Sequence, residues 1–208
     1  MQNIEQEAKD YFLKPKGSHD WDHTLRVYNL CIHIGKKENA NLEILKLAAL
    51  LHDIKRYEED QSREICHAEK GAILAKEILK KHNYEETKIN KIANCIETHR
   101  YRDNNQPESK EAKVLFDADK LDSIGAVGIG RAFLFSGEIG AKLHNKDIQL
   151  ESTKPYTKED TAYREFLIKL KDIKEKMLTN EGKRIAEERH IFMNNFFIRL
   201  NKEVDGDL

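Results

Sequence analysis

Apolar residues return at intervals of three and four along most of the chain. Val27, Leu30, Cys31 and Ile34 form one such set, and Ile89, Ile92, Ala93 and Ile96 another, the spacing of helices with one inward stripe. Residues 42–51, LEILKLAALL, are apolar nearly all round, which predicts a buried central helix. Further helices are predicted at about 2–12, 19–37, 67–81, 85–99, 109–121 and 122–135. After a polar stretch from Gly137 to Tyr156, Thr157 with Asp160 three residues on has the form of a helix start. Tyr163, Phe166, Leu167, Leu170, Ile173 and Met177 then make one stripe. Ile185, Phe192, Phe196 and Leu200 make a second, and the intervening TNEG marks the turn of a C-terminal helical hairpin at about 158–203. No alternating strand, fixed repeat or low-complexity tract breaks the pattern, so the expected fold class is all-α. Two long loops, Tyr101–Glu108 and about Gly137–Tyr156, interrupt it, and loops of that length in compact domains are commonly functional.

Composition narrows the partners. The 208 residues carry 36 Lys+Arg against 37 Asp+Glu, a net charge of -1, with 39% hydrophobic and 35% charged positions. That length predicts a single domain over 1–208. A duplex-binding protein would show a clustered basic excess, and so would a protein held on an anionic membrane. Neither partner is expected. The opening MQNIEQEAKDYFL has acidic residues and no apolar run, unlike a secretory leader. No window approaches the ~18 uncharged apolar residues of a bilayer span. Cys31, Cys66 and Cys95 are odd in number and widely spaced, as small buried thiols in a reducing compartment would be. The expected location is the cytoplasm.

Four pieces then carry chemistry: His23 in SHDWDHTLRV, the pair His52-Asp53 in ALLHDIKR, and Asp119 in LFDADKLD. Alone, His23 reads as an ordinary residue in the first turns of an amphipathic helix. His52-Asp53 ends the most apolar helix of the chain, where a charge is costly unless paired or metal-bound. Asp117, Asp119 and Asp122 would pass for a solvated acidic face, except that Val114, Leu115, Leu121 and Ile124 around them are apolar. Two imidazoles and two carboxylates drawn from separate helices suit a divalent cation such as Mn²⁺, Fe²⁺, Co²⁺ or Zn²⁺. Such an ion lowers the pKa of a bound water and polarises a phosphoryl group.

The order H…HD…D, with the surrounding WDHTLRV, ALLHDI and DADKLDSIGAVGIGRAF, resembles the HD-domain metal-dependent phosphohydrolases. The resemblance runs from about Ser18 to Phe135, the expected core of the domain, and small bacterial members are also similar along His99-Arg100-Tyr101-Arg102. It implies an HD-domain helical bundle with metal ligands His23, His52, Asp53 and Asp119. Asp119 is chosen over Asp117 because the second Asp of D-x-D-K-x-D is the ligand in relatives. In binuclear members of the family a His at each of two such points helps hold a second metal, so His67, at the start of a predicted helix, and His99, on the stripe of Ile92 and Ile96, are expected to be ligands of a second metal, contacts to substrate phosphate, or plain structural residues. The expectation is one firmly bound ion, with Mn, Fe, Co, Ni, Zn and Mg all open.

The resemblance further implies a small phosphorylated substrate, a nucleotide above all, since some members are nucleotide pyrophosphohydrolases. Cations must then meet the phosphate oxygens. Arg26, Lys55, Arg56, Arg100, Arg102, Lys120 and Arg131 are in reach of the motifs, with Arg100 and Arg102 favoured because their loop follows His99. Asp20 is placed to cap the helix of His23, and Asp22, Asp117 and Asp122 to support the ligands. Glu58, or Glu59 beside it, is close enough to the HD pair for a general acid. GAVGIG lacks a preceding strand and a GKS/GKT ending, so close helix packing explains it better than a phosphate loop. Two rival functions use the same residues: a di-iron oxygenase built on the full H, HD, H, H, D set, and a non-catalytic nucleotide-binding regulator. The Phe and Ile residues of the C-terminal hairpin admit a homodimer, although support of the domain's own core accounts for them better.

Overall fold

The computed structural model of the protein describes residues 2–12, 20–62, 66–100 and 105–208. It is all-α, with no strand among the described residues. In chain order the helices are α1 (Gln2–Asp10), α2 (Trp21–Lys37), α3 (Leu42–Leu51), α4 (Arg56–Gln61), α5 (His67–Lys81), α6 (Glu86–Thr98), α7 (Lys110–Leu121), α8 (Gly125–Glu138), α9 (Ala162–Ile168) and α10 (Asn180–Asp205). They fall into two compact units, Met1–Asp119 and Lys120–Leu208.

In the first unit, α3 packs against α1, α2, α5 and α6. Its Leu45, Leu47, Ala48, Ala49 and Leu51 are fully buried, as an all-round apolar sequence requires. Asn41 starts it, its side chain accepting from the backbone N–H groups of Glu43 and Ile44 at 3.0 and 3.2 Å. Asp20 starts α2 in the same way, accepting from the His23 N–H at 2.9 Å. Beyond α3 the chain turns over 52–55, and the Arg56 N–H donates to the Asp53 carbonyl at 2.9 Å. The short α4 that follows is not predicted by the sequence pattern, because RYEEDQ has no apolar stripe.

In the second unit, α8 begins three residues later than the periodicity predicts. Gly125 has φ +76°, outside the helical region, and a Cβ there would lie 2.9 Å from Arg189 Cγ. A Cβ on Gly128 would lie 2.2 Å from the Ser123 carbonyl oxygen, so GAVGIG is a close-packing segment. The helix start expected at Thr157 lies instead at Thr161, whose Oγ1 accepts from the Arg164 N–H at 3.1 Å. Asp160 is engaged otherwise, by the Tyr156 N–H and the Arg164 guanidinium, both at 2.7 Å. The single helix expected through Met177 breaks at Lys169, φ -144°, and continues as 3₁₀ winding over Leu170–Lys176. Three residues per turn put Leu170 and Ile173 on one side, and both are buried. TNEG supplies the Thr179 cap and first turn of α10. Phe166 and Phe197 stack at 4.6 Å, with Tyr163 5.6 Å from Phe197, while Ile191, Phe192 and Ile198 stay exposed. No helix among the described residues is long and apolar enough to cross a membrane.

The glycines of α8 give a paired test. Gly128→Ala forces a Cβ onto backbone and should destabilise the protein by about 1–3 kcal/mol, typical of overpacking. Gly130, with nothing within 4 Å of its would-be Cβ, should gain about 0.5–1 kcal/mol as Ala. Opposite shifts of the thermal unfolding midpoint are the expected readout.

Candidate metal centre

Six residues converge within the first unit. His23 comes from the first turn of α2, His52 and Asp53 from the end of α3, and His67 from the first position of α5. His99 follows the last residue of α6, and Asp119 lies near the end of α7. The four histidines and Asp53 are buried to 4% exposure or less, and Asp119 is half-buried.

Asp53 stands at the middle. Its Oδ2 is 3.6 Å from both His23 Nε2 and His52 Nε2, while its Oδ1 is 3.0 Å from His67 Nε2 and 3.7 Å from His99 Nε2. One carboxylate therefore faces two imidazole pairs through different oxygens. Within the pairs, His23 Nε2 and His52 Nε2 are 3.4 Å apart, and His67 Nε2 and His99 Nε2 are 3.2 Å apart. Asp119 Oδ1 joins the first pair, 3.5 Å from His23 Nε2. Two groups result, His23–His52–Asp119 and Asp53–His67–His99, each with ligand atoms within 4.8 Å of one another, and each could hold a metal ion.

The donor chemistry fits a divalent cation. His52 Nδ1 donates to the Ala49 carbonyl at 2.7 Å and His99 Nδ1 to the Ile96 carbonyl at 2.5 Å. His67 Nδ1 is hydrogen-bonded to Glu59. With Nδ1 carrying the proton, each of these rings turns an Nε2 lone pair toward the centre, the arrangement metal-binding histidines use. Burial pulls His52 down to about 4, so it is neutral at pH 7. Burial alone would raise the Asp53 carboxyl, but His52, His67 and His23 outweigh it and hold the group well below the usual carboxylate range.

The residues expected around these ligands take varied places. Lys55 is ion-paired with Glu58, and neither side chain is fully buried. Arg100 Nη1 donates to Glu59 Oε1 at 2.6 Å, so its charge meets a carboxylate of the chain itself. Arg26 and Arg56 are half-buried on α2 and at the start of α4, and Asp22 is exposed beside His23 in sequence. Asp117 is fully buried on α7. In the second unit Asp122 is buried against Arg131, 2.7 Å away, and Lys120 is half-buried. Arg102 lies outside the described residues. Cys31 and Cys95 are buried, and burial pushes the Cys95 thiol up to about 12, which leaves it unreactive. A separate cleft of about 620 Å³, with Asn41, Asn90, Asn94 and Glu111 in its wall, contains none of the six ligands.

One contributor is poorly marked in sequence. Glu59 is buried at 9% exposure and joins both His67 and Arg100, whereas Glu58 beside it pairs with Lys55. Burial would raise the Glu59 carboxyl, but hydrogen bonds from Arg100 and His67 bring it down to about 2. Adjacent glutamates in a short polar helix look alike until it is known which side of the helix faces inward.

A buried set of four imidazoles and two carboxylates, ordered along the chain as H, HD, H, H, D, defines a class of protein. The HD domain model matches residues 20–124, and the chain belongs to the HD-domain superfamily of metal-dependent hydrolases. It is 36% identical over 192 residues to the uncharacterized protein YpgQ of Bacillus subtilis, covering 90% of this chain and 85% of that one. The crystal structure of Bacillus subtilis YpgQ in complex with ADP superposes with a TM-score of 0.77 at 32% identity, over 99% of this chain and 98% of the other. An HD-superfamily hydrolase from Bacillus thuringiensis superposes equally well, TM-score 0.77 at 28% identity, over 98% and 96% of the two chains.

Because Asp53 is shared by both groups, Asp53→Ala should strip the protein of metal after dialysis. Asp117→Ala, outside both groups, should leave most of it bound. Elemental analysis separates the two, and equal losses would show that Asp117 is also a ligand.

Proposed function

We propose that the protein is a phosphohydrolase that holds two divalent ions, one in each histidine group, and cleaves a phosphate ester or pyrophosphate bond of a nucleotide. The observation that carries this reading is the placement of Asp53, whose two carboxylate oxygens each face a different imidazole pair. Two ions, one facing each oxygen, would let this carboxylate serve both pairs, one ion more than the single firmly bound one expected from sequence. His67 and His99 are then metal ligands rather than phosphate contacts. A bound ion of this kind supplies Lewis acidity toward phosphoryl oxygens and lowers the pKa of a water.

The chain's own residues do the rest. His23, His52 and Asp119 would hold one ion and His67 and His99 the other, with one oxygen of Asp53 turned toward each pair. Arg26, one turn after His23 on α2, and Arg56, at the start of α4, are assigned to the phosphate oxygens. The nucleotide assignment is supported by the ADP complex of YpgQ, a protein alike over nearly its whole length. A site of imidazoles and carboxylates accepts Mn²⁺ along with Fe²⁺ and Co²⁺, and Mn²⁺ is the ion used in the test below.

Purified protein should release phosphate or pyrophosphate from a panel of nucleoside mono-, di- and triphosphates with Mn²⁺. EDTA should abolish the release, and Mn²⁺, Co²⁺ or Ni²⁺ should restore it. Full turnover in metal-free buffer would overturn the reading. Release should be equal with and without O₂, while turnover that needs O₂ would favour a di-iron oxygenase built on the same six ligands.

A further inference from the structure

We infer that Glu59 is a positioning residue whose charge and hydrogen bond make the Asp53–His67–His99 group competent to hold its ion. The inference rests on the two-ion reading above. Its starting point is a charge inequality. Among the described residues, the His23–His52 group has Asp119 and is also faced by Asp53 Oδ2, whereas the carboxylate of the His67–His99 group is Asp53, which it shares with the first. A divalent ion there would be the less fully neutralised of the two, and nearby negative charge is worth most where water is excluded.

Glu59 supplies that charge from behind His67. Its Oε2 accepts from the ring Nδ1 and from the His67 backbone N–H, the latter at 3.3 Å. Helix geometry distinguishes His67 from His52 and His99. His52 and His99 stand at the C-terminal ends of α3 and α6, where carbonyls without intrahelical partners orient their rings. His67 opens α5, where the helix's own free backbone groups are N–H donors, and its Nδ1–H is received by the Glu59 side chain.

Arg100 fixes the carboxylate in turn, donating to Oε1 at 2.6 Å. Since Arg100 directly follows His99, one carboxylate links the elements carrying both imidazoles of the group. Both oxygens of Glu59 are thereby occupied. That engagement suits an orienting anion and not the general acid for which the sequence alone makes it a candidate.

The test titrates metal-free protein with Mn²⁺ by calorimetry, for the unaltered chain, Glu59→Gln and Glu59→Asp, with the thermal midpoint of each. The unaltered chain should bind two ions. Glu59→Gln, which keeps shape and an acceptor but loses charge, should weaken the second ion 10–100-fold. The first ion should not move, and the midpoint should fall only modestly, because Arg100 loses its charged partner. Glu59→Asp, one methylene too short to reach His67, should show the same split and serves if the Gln variant does not fold. Two ions bound at unaltered affinity in both variants would overturn the inference. So would parallel weakening of both ions with a lowered midpoint, which marks a structural ion pair only. One ion in the unaltered chain would instead remove the two-ion reading itself, a failure visible before any variant is made.

Discussion

The constraint on which the rest of the structure depends is the burial of the Asp53 carboxylate at the end of an apolar helix. Withdrawing a carboxylate from water costs several kcal/mol even after the protein relaxes. A fully buried Leu side chain contributes about 1.5–3 kcal/mol, so two or three such residues are offset by one uncompensated charge. The chain surrounds Asp53 with four imidazoles instead of leaving it alone. The apolar wall of α3 makes that placement firm. Leu45, Leu47 and Leu51 lock the helix among its neighbours, and the pair that follows is held where the other elements can reach it.

Orientation of the rings comes from the ends of helices. His52 and His99 each reach back three residues to a carbonyl, of Ala49 and Ile96 respectively, that the terminating helix leaves over. The same bonds satisfy buried polar atoms and select the tautomer whose Nε2 is a ligand. His67 sits at the opposite kind of helix end and is served by a side chain. For these three ligands the polarity of the helix end matches the kind of group that orients the ring.

The second unit obeys a different logic. Its core is aliphatic around a buried Phe197, whose ring meets those of Phe166, Tyr163 and Phe133, and its entry into α8 depends on glycines. Gly125 takes a left-handed conformation against Arg189, and Gly128 admits the Ser123 carbonyl. These are packing requirements, and they account for a glycine-rich stretch that phosphate-binding loops also display.

Much of this was legible in the sequence, and the division follows range. Helices with an apolar stripe, the buried α3 and the Asp20 cap of α2 depend on neighbours three or four residues away, so spacing alone revealed them. Motif order singled out His23, His52, Asp53 and Asp119 as one set, because residues that share a chemical task need not be close in sequence to be recognised in order. The short α4, the late start of α8, and the break at Lys169 carry no periodic signal or turn on backbone conformation. Which oxygen of Asp53 faces which imidazole pair, and that Glu59 rather than Glu58 backs His67, are distances between elements tens of residues apart. Those are set by how α3, α4, α5 and α6 pack, and only the tertiary structure could decide them.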